Sequence, residues 1–447
     1  MMTFEDLNLN KPLLNALEDM GLTHPTSIQG KVFSVMMSGK DVLGIAQTGT
    51  GKTFAYLLPC LRQWKYSREL LPQILILVPT RELVAQIVEE TQKLAAYMDL
   101  RVVGIYGGTN IRTQMQDVRA GIDVLVATPG RLIDLVITNN LKIKSVTRLV
   151  IDEVDEMLDL GFRHQLVKIF DLLPPKRQNL MFSATMTTEV ETLIAEHFNY
   201  PIKIEAAPTG TPLENINQSG YHLPNFNTKV NLLELLLSDA ETMTKVLVFV
   251  STKSLADKLF ERVSPNFMNQ LGVIHSNKTQ NYRFNAVRSF QDGTHRILIA
   301  TDIIARGLDI EGVSHVINFD TPDIPENYMH RIGRTGRADR EGISITFIHE
   351  TEREYQAEIE KLMNRPIPIR PLPEALEISD ILNFDEIPVV PMKALTTVPK
   401  IDLQNSAFHE RSDLRKKVNN KVTRVNQMKE KYGKPKTRGQ KKRGSRK

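Results

Sequence analysis

The chain has 447 residues, 41% of them hydrophobic, with 57 basic and 52 acidic side chains. That length leaves room for about three domain-sized units, with enough apolar material for real cores. A single cysteine, Cys60, excludes a disulfide framework and a cysteine-built zinc site and fits a reducing cytoplasm; no apolar run nears the roughly 18 residues of a membrane span. The opening Met-Met-Thr-Phe-Glu-Asp lacks the basic and apolar regions of a secretory signal.

Taken in chain order, short apolar runs alternate with helical stretches twice over. Asp41–Ala46, Leu75–Val78, Val102–Tyr106, Val124–Ala127, Leu149–Asp152 and Leu180–Ser183 read as buried strands, with helices such as Glu82–Tyr97 between several of them. Val246–Val250, Gly272–His275, Ile297–Thr301, His315–Phe319 and Ser344–Ile348 repeat the pattern. Nearly continuous apolar strands interleaved with helices predict parallel sheets covered on both faces. The seam falls at 206–218, where Pro208, Gly210 and Pro212 sit among small polar residues. The expected organisation is an α/β domain over 1–207, a linker over 208–218 and a second α/β domain over 219–365.

Beyond that the texture changes. Pro366, Pro368, Pro371 and Pro373 open a Pro-rich strap over 366–410, with Ile378, Ile381, Leu382 and Phe384 as its expected apolar anchors. The segment 411–447 carries 16 Lys and Arg against Asp413 and Glu430, so the other 410 residues hold 41 basic and 50 acidic side chains. An acidic body with a strongly basic tail points to a polyanionic partner for the tail. Leu414, Val418, Val422, Val425, Met428 and Tyr432 lie at helical spacing, an apolar stripe for docking on the body or on a partner. From Gly433 onward no apolar face remains and disorder is expected.

Several motifs carry chemistry. Gly49, Gly51, Lys52 and Thr53 follow a strand and open a helix, the context of a phosphate-cradling loop. Backbone N–H groups there approach phosphate oxygens, Lys52 reaches the β- and γ-phosphates, and Thr53 supplies a Mg²⁺ ligand. The general template asks for Gly where this chain has Ala46. Asp152-Glu153-Val154-Asp155 ends a strand about a hundred residues on, where one carboxylate can hold the ion and a neighbour can activate water. Arg334 and Arg337, beside Gly333 and Gly336, suit bidentate stabilisation of a transferring phosphoryl group.

These motifs, in order from Phe4 to about Ile348, resemble the DEAD-box ATP-dependent RNA helicases. Phe4, Gly21, Pro25, Thr26, Ile28 and Gln29 are similar to the family's adenine-reading Q motif, and Ala46-Gln47-Thr48-Gly49-Thr50-Gly51-Lys52-Thr53 to its own form of phosphate loop, Ala46 included. Pro79-Thr80-Arg81-Glu82-Leu83, Gly107-Gly108 and Thr128-Pro129-Gly130-Arg131 resemble the RNA-backbone motifs of the first domain. Gln280 with Arg283, and Ala300-Thr301-Asp302 through Arg306-Gly307-Leu308-Asp309, resemble RNA and nucleotide motifs of the second. Ser183 and Thr185 match the motif coupling hydrolysis to strand separation, and His330–Arg337 matches the arginine-finger motif. The resemblance departs at Val154, Leu22, Ser27 and Ser276.

The resemblance implies two RecA-like domains that close when ATP and RNA bind together. Lys52, Asp152, Glu153, Arg334 and Arg337 would carry catalysis, with Thr53 and Asp152 holding Mg²⁺. Phe4, Gln29, the loop 46–53, Gly307 and Asp309 would bind ATP. Asp155, Ser183, Thr185 and His330 would couple. RNA would meet Pro79, Thr80, Arg81, Gly108, Thr128, Gly130, Arg131, Gln280, Arg283, Thr301 and Asp302. The expected function is RNA-stimulated ATP hydrolysis driving local, non-processive unwinding in the cytoplasm, with ribosomal precursors or the RNA-decay machinery as settings and no membrane partner. The alternative is an ATP-gated RNA clamp or scaffold; a DNA-translocating motor is a distant third.

Overall fold

The structure, a computed structural model, describes residues 2–46, 50–205, 215–302, 312–336, 341–383 and 386. Internal contacts divide the chain into one compact unit, Met1–Ile387, and a second, Pro388–Lys447, which lies outside the described residues together with the basic tail and its apolar stripe. The first unit contains two lobes, each built on a parallel sheet.

In the first lobe β1 (Val42–Ile45), β2 (Ile74–Leu77), β3 (Val102–Ile105), β4 (Val124–Ala127), β5 (Arg148–Ile151), β6 (Gln178–Ser183) and β7 (Ile202–Glu205) form a sheet of order β3-β4-β2-β5-β6-β1-β7. Alternate strand residues enter two separate cores. Val42, Ile74, Ile76, Val124, Val126, Val150, Leu180 and Phe182 face one; Leu43, Ile45, Leu75, Leu77, Leu125, Leu149, Ile151 and Met181 face the other. Helices cover both faces, which is why these strands read as unbroken apolar runs rather than as alternation. Because every pairing is parallel, all strand carboxyl ends lie on one edge, where ligands of open α/β sheets bind.

The second lobe repeats the plan with β8 (Ile216–His222), β9 (Val246–Val250), β10 (Leu271–Ile274), β11 (Ile297–Thr301), β12 (His315–Asn318) and β13 (Gly342–Ile348), in the order β10-β11-β9-β12-β13-β8. The expected linker over 208–218 needs correcting at its end: Ile216 already belongs to β8, which pairs with β13 over seven residues. Its sequence, Ile-Asn-Gln-Ser-Gly-Tyr-His, carries too few apolar residues to read as a strand. The side-chain oxygen of the buried Gln218 accepts a hydrogen bond from the Tyr328 hydroxyl, 2.9 Å. Residues 206–214 lie outside the described residues.

The strap also differs from expectation. Ile378, Ile381 and Leu382 are 55%, 72% and 45% exposed, so they are not its anchors, and Phe384 lies outside the described residues. Ile367 is buried instead, and Leu372 and Leu376 pack against the second lobe's core. The physical reason is polar. Asn225, Asn227 and Asn231 donate from the start of helix Phe226–Ser238 to the carbonyls of Ser379, Ile381 and Glu377. With its backbone turned inward to meet these donors, this part of the strap presents Ile378, Ile381 and Leu382 outward. Among the described residues no helix is long and apolar enough to cross a membrane.

Candidate active site

Three adjacent strands bring the first lobe's motifs together. β5, β6 and β1 are neighbours, and their carboxyl ends carry Asp152–Asp155, Ser183–Thr185 and the phosphate loop respectively. Gly51 caps the helix Lys52–Arg62 in a left-handed conformation (φ 85°), and a Cβ there would meet the Gln29 side chain at 2.5 Å. A side chain at 51 would therefore displace Gln29, whose amide donates to the Gly51 carbonyl at 3.2 Å, while the Thr26 hydroxyl donates to the Thr50 carbonyl at 3.0 Å. Phe4 is buried beneath, and its N–H reaches the Thr23 carbonyl. The Q-motif residues thus brace the phosphate loop directly. Gln47, Thr48 and Gly49 lie outside the described residues.

Lys52 is buried, and among the described residues its ammonium has no hydrogen-bond partner; the same holds for Oε2 of Glu153. Glu153 sits between β5 and the helix Val154–Asp159 at φ 51° and ψ 50°, a left-handed conformation that a glutamate adopts only at a cost. Burial raises the pKa of both Asp152 and Glu153, and Lys52 partly offsets it in each case; Arg334 acts on Glu153 in the same direction. Burial would raise Asp155 too, but the positive charges of His330 and Lys52 and its bonds to Thr185 hold it below the ordinary carboxylate value. Asp155 Oδ2 accepts from the N–H groups of Ala184 and Thr185, at 3.0 and 2.9 Å, and from the Thr185 hydroxyl at 3.0 Å.

The second lobe closes the site. His330, on helix Pro325–Ile332, and Arg334, in the turn that follows, join Lys52, Glu153, Asp155 and Glu156 around one cavity of about 10 Å³. That is room for about one water. Gly336 lets the turn after this helix pack on β8 of its own lobe, since at φ 65° a Cβ would stand 2.6 Å from Ile216. Arg337, Gly307 and Asp309 lie outside the described residues.

For Mg²⁺, the available donors are hard oxygens, as that ion requires. Among the described residues no three His, Cys, Asp or Glu side chains converge as a metal cage. Thr53 and Asp152 therefore fit an ion shared with phosphate oxygens, the usual arrangement for Mg²⁺.

The expected RNA residues line the same edge of both sheets. Thr80 caps helix Arg81–Leu94 and Thr279 caps helix Gln280–Gln291, with hydroxyls accepting at 3.3 Å in each case. Thr128 precedes helix Pro129–Ile137, with Gly130 in its first turn. Helix starts present unpaired N–H groups to anions. Arg81 donates to Gln280 across the lobes at 3.0 Å, and Arg283 pairs with Glu82 at 2.8 Å. Gly108 (φ 76°) admits the Arg81 guanidinium, 2.1 Å from where a Cβ would be. Arg131 is buried and donates to Gln114 at 2.7 Å and to the Thr109 carbonyl at 3.1 Å, so it braces the Gly107–Gly108 loop. Thr301 ends β11, and Asp302 is taken up by Arg331. Pro79 sits between β2 and Thr80.

Comparison with known proteins agrees with this arrangement. Residues 26–193 match the DEAD/DEAH box helicase domain and 228–339 the helicase conserved C-terminal domain. The DEAD-box ATP-dependent RNA helicase CshA of Geobacillus kaustophilus is 37% identical over 418 residues, covering 92% of this chain and 86% of that protein. The chain belongs to the DEAD-box ATP-dependent RNA helicases. DEAD-box ATP-dependent RNA helicase 30 of Arabidopsis thaliana is 39% identical; the alignment covers 81% of this chain and 62% of the longer plant protein. Among solved structures, S. cerevisiae Dbp5 bound to RNA and ADP BeF3 superposes with a TM-score of 0.76 at 27% identity, over 83% of this chain and 96% of that one. Mss116p bound to ssRNA and AMP-PNP gives 0.77 at 29%, over 83% and 80%. Both sheets are thus RecA-like lobes of a DEAD-box helicase.

The chain's departures from the family pattern are readily accommodated. Val154 is fully buried in the core under β5, with its added methyls in apolar contact and the flanking carboxylates undisturbed. Ser276 lies in a turn closed by the Lys278 N–H on the His275 carbonyl at 3.1 Å, and it is not among the residues with positive φ. Leu22 is at the surface, and Ser27 is the first residue of helix Ser27–Met37. Sequence reasoning missed Tyr56, Gln114 and Arg331. Tyr56 had a usable signal, helical spacing of three and four from Thr53 and Lys52; the other two are recognisable only through distant partners.

Proposed function

We propose that this DEAD-box protein couples RNA-stimulated ATP hydrolysis to local, non-processive opening of RNA duplexes. The observation that carries the reading is the single cavity lined by Lys52, Glu153 and Asp155 from one lobe and by His330 and Arg334 from the other. Glu153 orients water and takes its proton as the water oxygen bonds the γ-phosphorus and the bond to ADP breaks. Lys52 and Arg334 stabilise the charge on the transferring group. Thr53 and Asp152 would hold Mg²⁺ bound with the nucleotide, which would supply further neutralising charge. Asp155 is hydrogen-bonded to the Ser183–Thr185 loop and faces the charge of His330 across the lobes, a route by which nucleotide state would reach the RNA edge. There Thr80, Thr128, Gly130, Gln280 and Thr301 approach a single strand through its backbone, with little sequence preference.

The test is ATP turnover with and without RNA, alongside strand separation of a short duplex. Equal turnover in both conditions would refute the coupling. Replacing Glu153 with Gln should lower turnover by about 10²–10⁴ while ATP-dependent RNA binding persists; a variant that still hydrolyses ATP at the wild-type rate would remove Glu153 from its role.

The basic segment 411–447 adds non-specific RNA affinity by releasing counterions from the phosphates. Deleting it should weaken RNA binding and flatten its salt dependence, and an unchanged salt slope would disprove the assignment. The reading places the protein in the cytoplasm, where ribosomal precursors and the RNA-decay machinery present duplexes of this kind.

A further inference from the structure

The hydroxyl of Tyr56 is bonded to Asp152, one of the two oxygen donors assigned to Mg²⁺. Tyr56 follows Lys52 by four residues and Thr53 by three on helix Lys52–Arg62, so it stands beside both on one face. Its side chain is fully buried and its hydroxyl donates to Asp152 Oδ2 at 3.0 Å. The other carboxylate oxygen, Oδ1, accepts the Glu153 N–H at 2.9 Å. Each oxygen of Asp152 thus has one fixed protein donor and keeps a lone pair for a further partner. The ring itself is held by packing. Phe182 lies 5.3 Å away between centroids, and Phe182 occupies the space over Gly44, where a Cβ would meet its ring at 2.5 Å. Gly44, Phe182 and Tyr56 therefore form a buried stack that fixes the phenol from behind.

We propose that Tyr56 is a positioning residue for the metal–nucleotide site, holding the Asp152 carboxylate in place beside Thr53 before the ion arrives. The proposal rests on the reading of Thr53 and Asp152 as the Mg²⁺-holding pair. A partner that orients a metal ligand raises metal affinity by removing the ligand's freedom, and its loss typically costs tenfold or more. Tyr56 acts through Asp152 rather than on the phosphates or the reacting water.

The test is Tyr56→Phe, which removes the hydroxyl and keeps the ring against Phe182. A fluorescent ADP analogue is titrated into wild type and variant at a series of free Mg²⁺ concentrations and in the presence of a chelator. The Mg²⁺ concentration giving half-maximal enhancement of binding should rise about tenfold in the variant. Affinity measured in chelator should stay within about twofold, because the phosphate loop is untouched. The extra thermal stabilisation that Mg²⁺ adds to the ADP-bound protein should shrink in parallel, while the ligand-free unfolding midpoint stays close to wild type. Unchanged Mg²⁺ dependence overturns the proposal. An equal loss of affinity with and without Mg²⁺ also overturns it, since Tyr56 would then serve packing alone. If binding to the wild type is itself independent of Mg²⁺, the assignment of Thr53 and Asp152 fails first and this proposal falls with it.

Discussion

Replacing Arg334 with alanine should lower RNA-stimulated hydrolysis by about 10³–10⁵, with nucleotide affinity little changed. The side chain is 3% exposed, and its backbone N–H bonds the Arg331 carbonyl at 3.2 Å in the turn after helix Pro325–Ile332. From there its charge reaches Glu153, on the other lobe, strongly enough to offset part of the burial that raises the Glu153 pKa. A guanidinium in this place has two effects. It favours the ionised form of Glu153 against the burial that opposes it, and it meets the transferring phosphoryl group with a planar pair of donors. Both effects vanish when the lobes part, so the residue makes hydrolysis conditional on closure. Lysine at 334 should recover little, because a point charge on a flexible stem does not reproduce the fork. Single-turnover hydrolysis with saturating RNA is the measurement. A loss smaller than tenfold, with binding intact, would move the finger's role elsewhere.

The parts of this machine that were legible in the sequence are the contiguous ones. A phosphate loop needs its glycines, lysine and threonine side by side, because backbone and side chain act on the same phosphate; hence Gly51, Lys52 and Thr53 can be read directly. Strands buried on both faces announce themselves as apolar runs, which is why β4, β9 and β11 have the bounds expected of them. β7 and β8 escaped notice for the converse reason. β7 buries only Ile204 and exposes Lys203 and Glu205; β8 buries Gln218 and Ser219, polar residues that look like loop until pairing with β13 places them in the sheet. The supporting shell of the site was hidden for the same cause. Tyr56 meets Asp152 across 96 residues, and Arg331 meets Asp302 across 29, so neither contact leaves a local pattern. Local chemistry writes a motif; the residues that hold it in place answer to topology.

Arg331 shows what that hidden support is worth. It is 1% exposed, yet it is an arginine. Its Nε and Nη2 donate to the two oxygens of Asp302 at 2.6 and 2.8 Å, and its Nη1 donates to the Asp320 carbonyl at 2.8 Å. The guanidinium also lies over the Phe249 ring, 5.4 Å from its centroid. Burial by itself would loosen its proton, but Asp302 and Asp320 more than compensate, and the group stays charged. One side chain therefore ties helix Pro325–Ile332 to the ends of β9, β11 and β12, and so fixes the stem that carries His330 and Arg334. Arg331→Leu keeps much of the volume but leaves the buried Asp320 and the partly buried Asp302 without their cation. Breaking a buried pair in this way costs about 3–5 kcal/mol, so the variant should unfold at markedly lower denaturant. Because the damage is confined to the second lobe, ADP binding to the first lobe should survive at denaturant concentrations where the second has melted. Hydrolysis should fall as well, but through loss of the stem rather than of the finger. That predicts a defect that worsens with temperature, whereas the Arg334→Ala defect should be nearly temperature-independent in its ratio to wild type. If Arg331→Leu is as stable as wild type, the pair with Asp302 is not the support described here, and the placement of Arg334 must come from the packing of Tyr328 and Ile332 alone.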